Sequence, residues 1–247
     1  IYDVPINFEK ENLGNRILKK IGLRSRKSNL KDWKRLSKTI KEAKLPVKIG
    51  IVGKYFETGK FTLIDSYISI IEAIKHACWF YKRKPEIYWL SAEKYENRSP
   101  KSPSASFGDH NLNELKNYDG IIVPGGFGSR GVEGKIKAIE FCRKQKIPFL
   151  GLCLGMQLAV IEFARNVCGL KAANSSEFSP NCKAPVIDVM PEQKALLDKK
   201  KYGATMRLGA YFCQIRPNTA SSRAYRSLLV SERHRHRYEL NNAFRDV

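Results

Sequence analysis

From residue 47 onward, short apolar runs alternate with stretches of helical periodicity, the pattern of βαβ units feeding a parallel sheet. Residues 47–52 (VKIGIV) predict a buried strand. After it, Ile64, Tyr67, Ile68, Ile71, Ile74, Cys78 and Tyr81 fall on one face of a helix. Residues 86–90 read as the next strand, and residues 91–117, rich in Ser, Pro, Asn and Gly with no period, read as a loop. A strand at 120–124 leads into a glycine-rich turn (Gly125, Gly126, Gly128, Gly131, Gly134) and then a helix at 135–144. A strand at 147–152 runs straight into a helix at 154–167, and 186–190 and 208–216 are the last strand candidates.

Residues 1–45 have a different texture, with many lysines and arginines around few apolar positions. Leu13, Ile17 and Ile21 lie four apart and predict a short amphipathic helix; a polar connector at 24–30 separates it from a second helix around 33–43. The expected organisation is a helical linker over 1–45 and an α/β domain over 46–247, starting near Pro46. The chain opens on Ile1 with no basic and apolar leader pattern, and it reads as a piece of a longer polypeptide.

No run of 18 apolar residues occurs, so the sequence holds no membrane-spanning stretch. Six widely spaced cysteines with no C-x-x-C pair argue against a zinc site and for a reducing, cytoplasmic setting. The 45 basic and 24 acidic residues leave a net charge of +21, which would attract polyanions. The lysines are scattered and no nucleic-acid motif accompanies them, so solvated surface charge is favoured over nucleic-acid binding.

The most informative spacing is Gly151-Leu152-Cys153-Leu154-Gly155, a nucleophile elbow with cysteine at its apex. A strand ending at Leu152 and a helix starting at Leu154 would force Cys153 into a tight turn that only small neighbours permit. The helix N-terminus is expected to favour the thiolate. A buried structural cysteine between two glycines is the alternative. The run Pro124-Gly125-Gly126-Phe127-Gly128, after its own strand, could supply a backbone N–H from Gly126 that joins that of Leu154 in an oxyanion hole; a phosphate loop or plain turn is the alternative there. Neither a Walker loop nor a dinucleotide fingerprint is matched.

The run PFLGLCLGMQLAVIEFARNV, with Cys153 followed by Gln157, resembles the nucleophile segment of class I glutamine amidotransferases. VPGGFGSRGVEGK (123–135), ANSSEF (173–178), ATMRLGAY (204–211), SERHRHRYELN (231–241) and DSYISIIEAIKHA (65–77) are together similar to the glutaminase domain of the CTP synthase family, and IYDVPINFE at the start is similar to the end of that family's synthetase domain. The RHRHRYE and TMRLG runs set this branch apart from amidotransferases serving GMP or carbamoyl phosphate synthesis. The resemblance implies a flavodoxin-like parallel sheet flanked by helices, with residues 1–45 as synthetase tail and linker. It also implies that Cys153 attacks the side-chain amide of L-glutamine, that Gly126 and Leu154 form the oxyanion hole, and that Gly155, Met156, Gln157, Glu177 and Arg237 line the glutamine site. An acidic partner for the ammonium and an arginine fork for the carboxylate are the types free glutamine requires.

What lies beyond this domain is also implied by resemblance: a synthetase domain using ATP and Mg to convert UTP to CTP, GTP as allosteric activator, a homotetramer, and a lid around Thr205, Met206, Arg207 and Leu208. The family's catalytic histidine lies in an H-P-E motif that these 247 residues lack. His234 and His236 are therefore left unassigned, His76 and His110 are expected to be ordinary core or surface residues, and full turnover by these residues alone is not expected. The rival outside catalysis is a basic binding scaffold, which would show steeply salt-dependent nucleic-acid affinity.

Overall fold

The structure, a computed structural model, describes residues 1–25, 27–53, 57–58, 61–62, 67–96, 111–126, 128–190, 193 and 206–246. Three helices come first: α1 (Val4–Lys10), α2 (Leu13–Lys20) and α3 (Lys31–Glu42). The first two bury no side chain fully. The segment is held instead by Tyr2, whose ring stacks on Trp33 of α3 at 6.1 Å and meets Trp79 edge-on at 4.9 Å. Its hydroxyl donates to Glu72 and lies 2.9 Å from His76 Nε2, while Ser37 and Lys41 both donate to Asp3. His76 is exposed, with its ring beside those of Tyr2 and Trp79; His110 lies outside the described residues.

The main sheet forms from strands β1 (Leu45–Gly53), β4 (Arg83–Ser91), β5 (Gly120–Val123) and β6 (Phe149–Gly151), all parallel in the order β4-β1-β5-β6; a small hairpin, β2 (Glu57–Thr58) and β3 (Phe61–Thr62), lies between the first two in sequence. Numbered among the parallel strands alone, the order is 2-1-3-4, the flavodoxin-like winding. Alternation along each strand sends successive side chains to opposite faces. Ile51, Ile87, Trp89 and Ile122 face α4 (Ile68–Phe80), where they pack with Tyr67, Ile74 and Cys78. Val52, Leu90, Ile121 and Val123 face α5 (Val132–Gln145) and α6 (Leu154–Asn166), which build the larger core.

A second sheet adds β7 (Ala173–Ser175), β8 (Ala184–Val189) and β11 (Tyr238–Leu240) in the order β11-β8-β7. A separate antiparallel pair, β9 (Arg207–Gln214) and β10 (Leu229–His236), carries the short helix α7 (Ala220–Tyr225) in its connection. The helix starts at a capping box between Thr219 and Ser222.

The structure matches the predicted strands and helices to within a few residues but differs over 91–117. Both ends of that stretch join the core: Ala92–Tyr95 and Asn113–Asn117 form 3-10 turns that bury Ala92, Tyr95 and Leu115, and Tyr95 donates to Glu114 at 2.5 Å. Isolated apolar residues in single turns leave no period to detect. Ile64 and residues 97–110 lie outside the described residues.

Helices α5 and α6 are tied by an ion pair. The Glu162 carboxylate, 1% exposed, accepts from Arg143 at 2.7–3.1 Å and from Asn166 at 3.1 Å. Breaking a buried pair leaves an uncompensated charge. Arg143→Leu should destabilise the fold by about 3 kcal/mol, the low end for such a loss because Arg143 is itself 35% exposed. Urea unfolding checks this, and Arg143→Lys should recover only part of the loss because the paired geometry is gone.

Candidate active site

Strand β6 ends at Gly151 and α6 begins at Leu154, leaving two residues to reverse the chain. Cys153 takes φ 52° and ψ −109°, a conformation that costs a residue bearing a Cβ roughly 1–3 kcal/mol. The turn is held by Leu152 N–H to Val123 O at 2.9 Å and by Gly155 N–H to Leu152 O at 2.9 Å. A Cβ on Gly155 would lie 2.0 Å from the Val123 carbonyl oxygen, and one on Gly151 would lie 2.6 Å from the Gly155 backbone. The glycines of the motif are required by space: α6 starts in backbone contact with both β5 and β6.

Cys153 is exposed as a residue at the C-terminal end of the sheet, where ligands bind in open α/β folds, while its thiol is partly desolvated. Gly125, in the loop after β5, faces it, since a Cβ there would sit 3.4 Å from Cys153 Cβ and 3.9 Å from Sγ. The glycine-rich loop and the elbow are therefore neighbours, with Gly126 half-buried beside them. Of the other predicted residues on α6, Leu154, Gly155 and Gln157 are buried and Met156 is exposed.

Burial pushes the Cys153 thiol above its ordinary value; the Leu154 backbone N–H pulls the other way, and the Glu177 carboxylate adds a further upward push. The helix N-terminus thus acts in the expected direction, through the Leu154 N–H, but is outweighed. One backbone donor does not offset desolvation together with a nearby negative charge. Glu177 sits in the turn after β7, with its N–H donating to Ser175 Oγ at 3.1 Å. The Tyr238 hydroxyl is raised by burial first; Glu177 raises it further and Arg237 lowers it. Cys153, Glu177, Arg237 and Tyr238 thus share one electrostatic neighbourhood. Gln157, 5% exposed, donates from Nε2 to the Tyr238 carbonyl at 2.8 Å, linking the elbow helix to β11.

The predicted lid is replaced in part by strand. Arg207 and Leu208 belong to β9, and the Arg207 guanidinium lies 4.3 Å over the Tyr211 ring and 3.5 Å from Glu239. Thr205 lies outside the described residues. His234 and His236 contact each other, Nδ1 to Nε2, at 2.9 Å. Sequence reasoning missed Tyr238, whose contribution is a backbone oxygen that no side-chain motif advertises, and Gly125, which the motif contained but ranked behind Gly126.

The profile described as glutamine amidotransferase class-I matches residues 62–246. The chain belongs to the class I glutamine amidotransferase family. A CTP synthase of Caldanaerobacter subterraneus subsp. tengcongensis is 48% identical over 248 residues, covering 100% of this chain and 42% of that protein. One from Carboxydothermus hydrogenoformans is 47% identical over 247 residues, covering 100% and 43%. The amidotransferase chain therefore spans less than half the length of these relatives. Among solved structures, the glutaminase domain of Trypanosoma brucei CTPS with bound acivicin superposes with a TM-score of 0.68 at 38% identity, over 81% of this chain and 70% of that one. The flavodoxin-like winding read from the strand order is the fold of this amidotransferase family.

Two outcomes follow from the amidotransferase elbow. Gly155→Ala places a methyl group against the Val123 carbonyl and should cost about 3 kcal/mol or more, seen as a lowered urea midpoint. Glu177→Gln removes one upward push on the Cys153 thiol. Its alkylation by iodoacetamide near neutral pH, followed by peptide mapping, should therefore quicken, while buried Cys78 and Cys142 stay unmodified in both proteins.

Proposed function

We propose that this chain is the glutaminase portion of a CTP synthase, with residues 1–45 the tail of the synthetase domain and linker and 46–247 the amidotransferase domain. The observation that carries the reading is Cys153 at a strained, glycine-enforced elbow within the field of Glu177. Cys153 Sγ attacks the carboxamide carbon of glutamine, and the backbone N–H groups of Gly126 and Leu154 hold the oxyanion. Collapse breaks the C–N bond, the proton given up by the Cys153 thiol ends on the leaving nitrogen as ammonia, and water then hydrolyses the thioester to glutamate and restores the thiol. Gly155, Met156 and Gln157 line the pocket from α6, Arg237 receives the substrate carboxylate, and Glu177 receives its ammonium.

Glu177 has a second effect in this scheme. Before substrate arrives, its charge helps keep Cys153 as a thiol. A bound ammonium offsets that charge, so glutamine itself raises the thiolate fraction at the moment it is positioned.

Ammonia passes to a synthetase domain that uses ATP and Mg to aminate UTP, with GTP as activator, in a tetrameric cytoplasmic enzyme. Six free cysteines fit a reducing compartment, and no helix among the described residues is long and apolar enough to cross a membrane. Among the described residues no group of three or more His, Cys, Asp or Glu could hold a metal ion.

Arg237→Ala or Glu177→Ala, made in the full-length enzyme, should lower kcat/KM for glutamine about ten- to hundredfold, the worth of one charged hydrogen bond. CTP formation from free ammonia should persist, because ammonia bypasses this site. Steady-state assays with both nitrogen donors check this; equal loss with both would assign the two residues to folding instead.

A further inference from the structure

The Tyr238 carbonyl is a junction. It accepts from Gln157 Nε2 at 2.8 Å and lies 3.2 Å from His236 Nδ1. A carbonyl can only accept, so the His236 contact is a hydrogen bond only if Nδ1 carries the proton. In a neutral ring this leaves Nε2 as an acceptor, and His234 Nδ1 faces it at 2.9 Å and must donate. The result is a one-way chain: His234 Nδ1–H to His236 Nε2, then His236 Nδ1–H to the Tyr238 carbonyl, which also receives the Gln157 amide. Arg237 is the single residue between His236 and Tyr238, and it joins β10 to β11. Its backbone is thus fixed from behind by strand pairing and from ahead by this junction.

We propose that His236 is a positioning residue: through its Nδ1–H it fixes the Tyr238 carbonyl and so holds Arg237 in register with the nucleophile helix. The inference rests on the reading of Arg237 as a glutamine-binding residue. A proton added to His236 Nε2 leaves the Nδ1–H bond to the Tyr238 carbonyl in place and asks only that His234 turn an acceptor nitrogen toward it, so the hold depends on the donor and not on the charge of the ring. The charged and titratable groups around His236 come from several elements: His234 on its own strand, Arg207 and Tyr211 on β9, Glu239 and Tyr238 on β11, and Arg237 at the junction. Burial first, then His234 and Arg207, hold His236 below the ordinary imidazole range against the opposing pull of Glu239 and the Tyr238 carbonyl. A lowered value means that the ring is neutral at neutral pH, where the Nδ1–H that holds the Tyr238 carbonyl is set by the tautomer.

The test pairs a spectroscopic readout on this chain with kinetics on the full-length enzyme. Long-range ¹H–¹⁵N spectra at pH 7.5 should show the Nδ1–H tautomer for His236. His236→Asn keeps a donor near the Nδ1 position; His236→Ala keeps none. His236→Ala should raise KM for glutamine about five- to tenfold at pH 7.5 with kcat little changed, His236→Asn should restore most of that loss, and ammonia-dependent CTP formation should be unaffected in both. An Nε2–H tautomer at pH 7.5, or a wild-type KM in His236→Ala, would overturn the proposal. If wild type does not use glutamine, the functional reading has failed; the His236 tautomer and a shift of the Gln157 side-chain amide in His236→Ala but not in His236→Asn then decide the positioning claim by themselves.

Discussion

The structure depends on one close approach: the first turn of α6 lies on the backbone of β5, with Gly155 so near the Val123 carbonyl that no side chain fits. Because the helix cannot stand off, the chain between β6 and α6 has only two residues in which to turn, and Cys153 absorbs the strain. The same approach sets Leu154 and Leu158 into the core beneath the sheet end and fixes where the next turn of the helix presents Gln157. Residues far apart in sequence meet here because α6 is the element they all touch: Gly125 at its start, and Tyr238 one turn further along.

The chemistry of the site follows from burial as much as from residue type. The Cys153 thiol is pushed above its ordinary value first by desolvation and then by Glu177, against the single donor at the helix N-terminus. In the proposed reading, a substrate ammonium at Glu177 offsets the smaller of those two pushes.

How much was legible in the sequence varies with the physics. The parallel sheet was readable because buried strands such as 47–52 are continuous apolar runs, and the elbow because its glycines mark a backbone contact that nothing larger tolerates. β10 was not, since SERHRH alternates half-buried and exposed polar residues and has no hydrophobic signature. The role of the Tyr238 carbonyl was invisible in principle, because every residue carries that group. The net direction of the Cys153 shift was not legible because the helix terminus can be read locally, whereas desolvation of the thiol and, after it, the Glu177 charge arise only through the fold.

The tethering of Tyr2 bears on mechanics. Its ring is held between Trp33 and Trp79, its hydroxyl by Glu72 and its neighbour Asp3 by Lys41, so the first residues are fastened to α3 and α4 by contacts that bypass the polar connector at 24–30. A force on the first residues therefore meets α3 and α4 through these side-chain contacts as well as along the intervening chain, so the helical segment braces the start of the chain against the α/β layer.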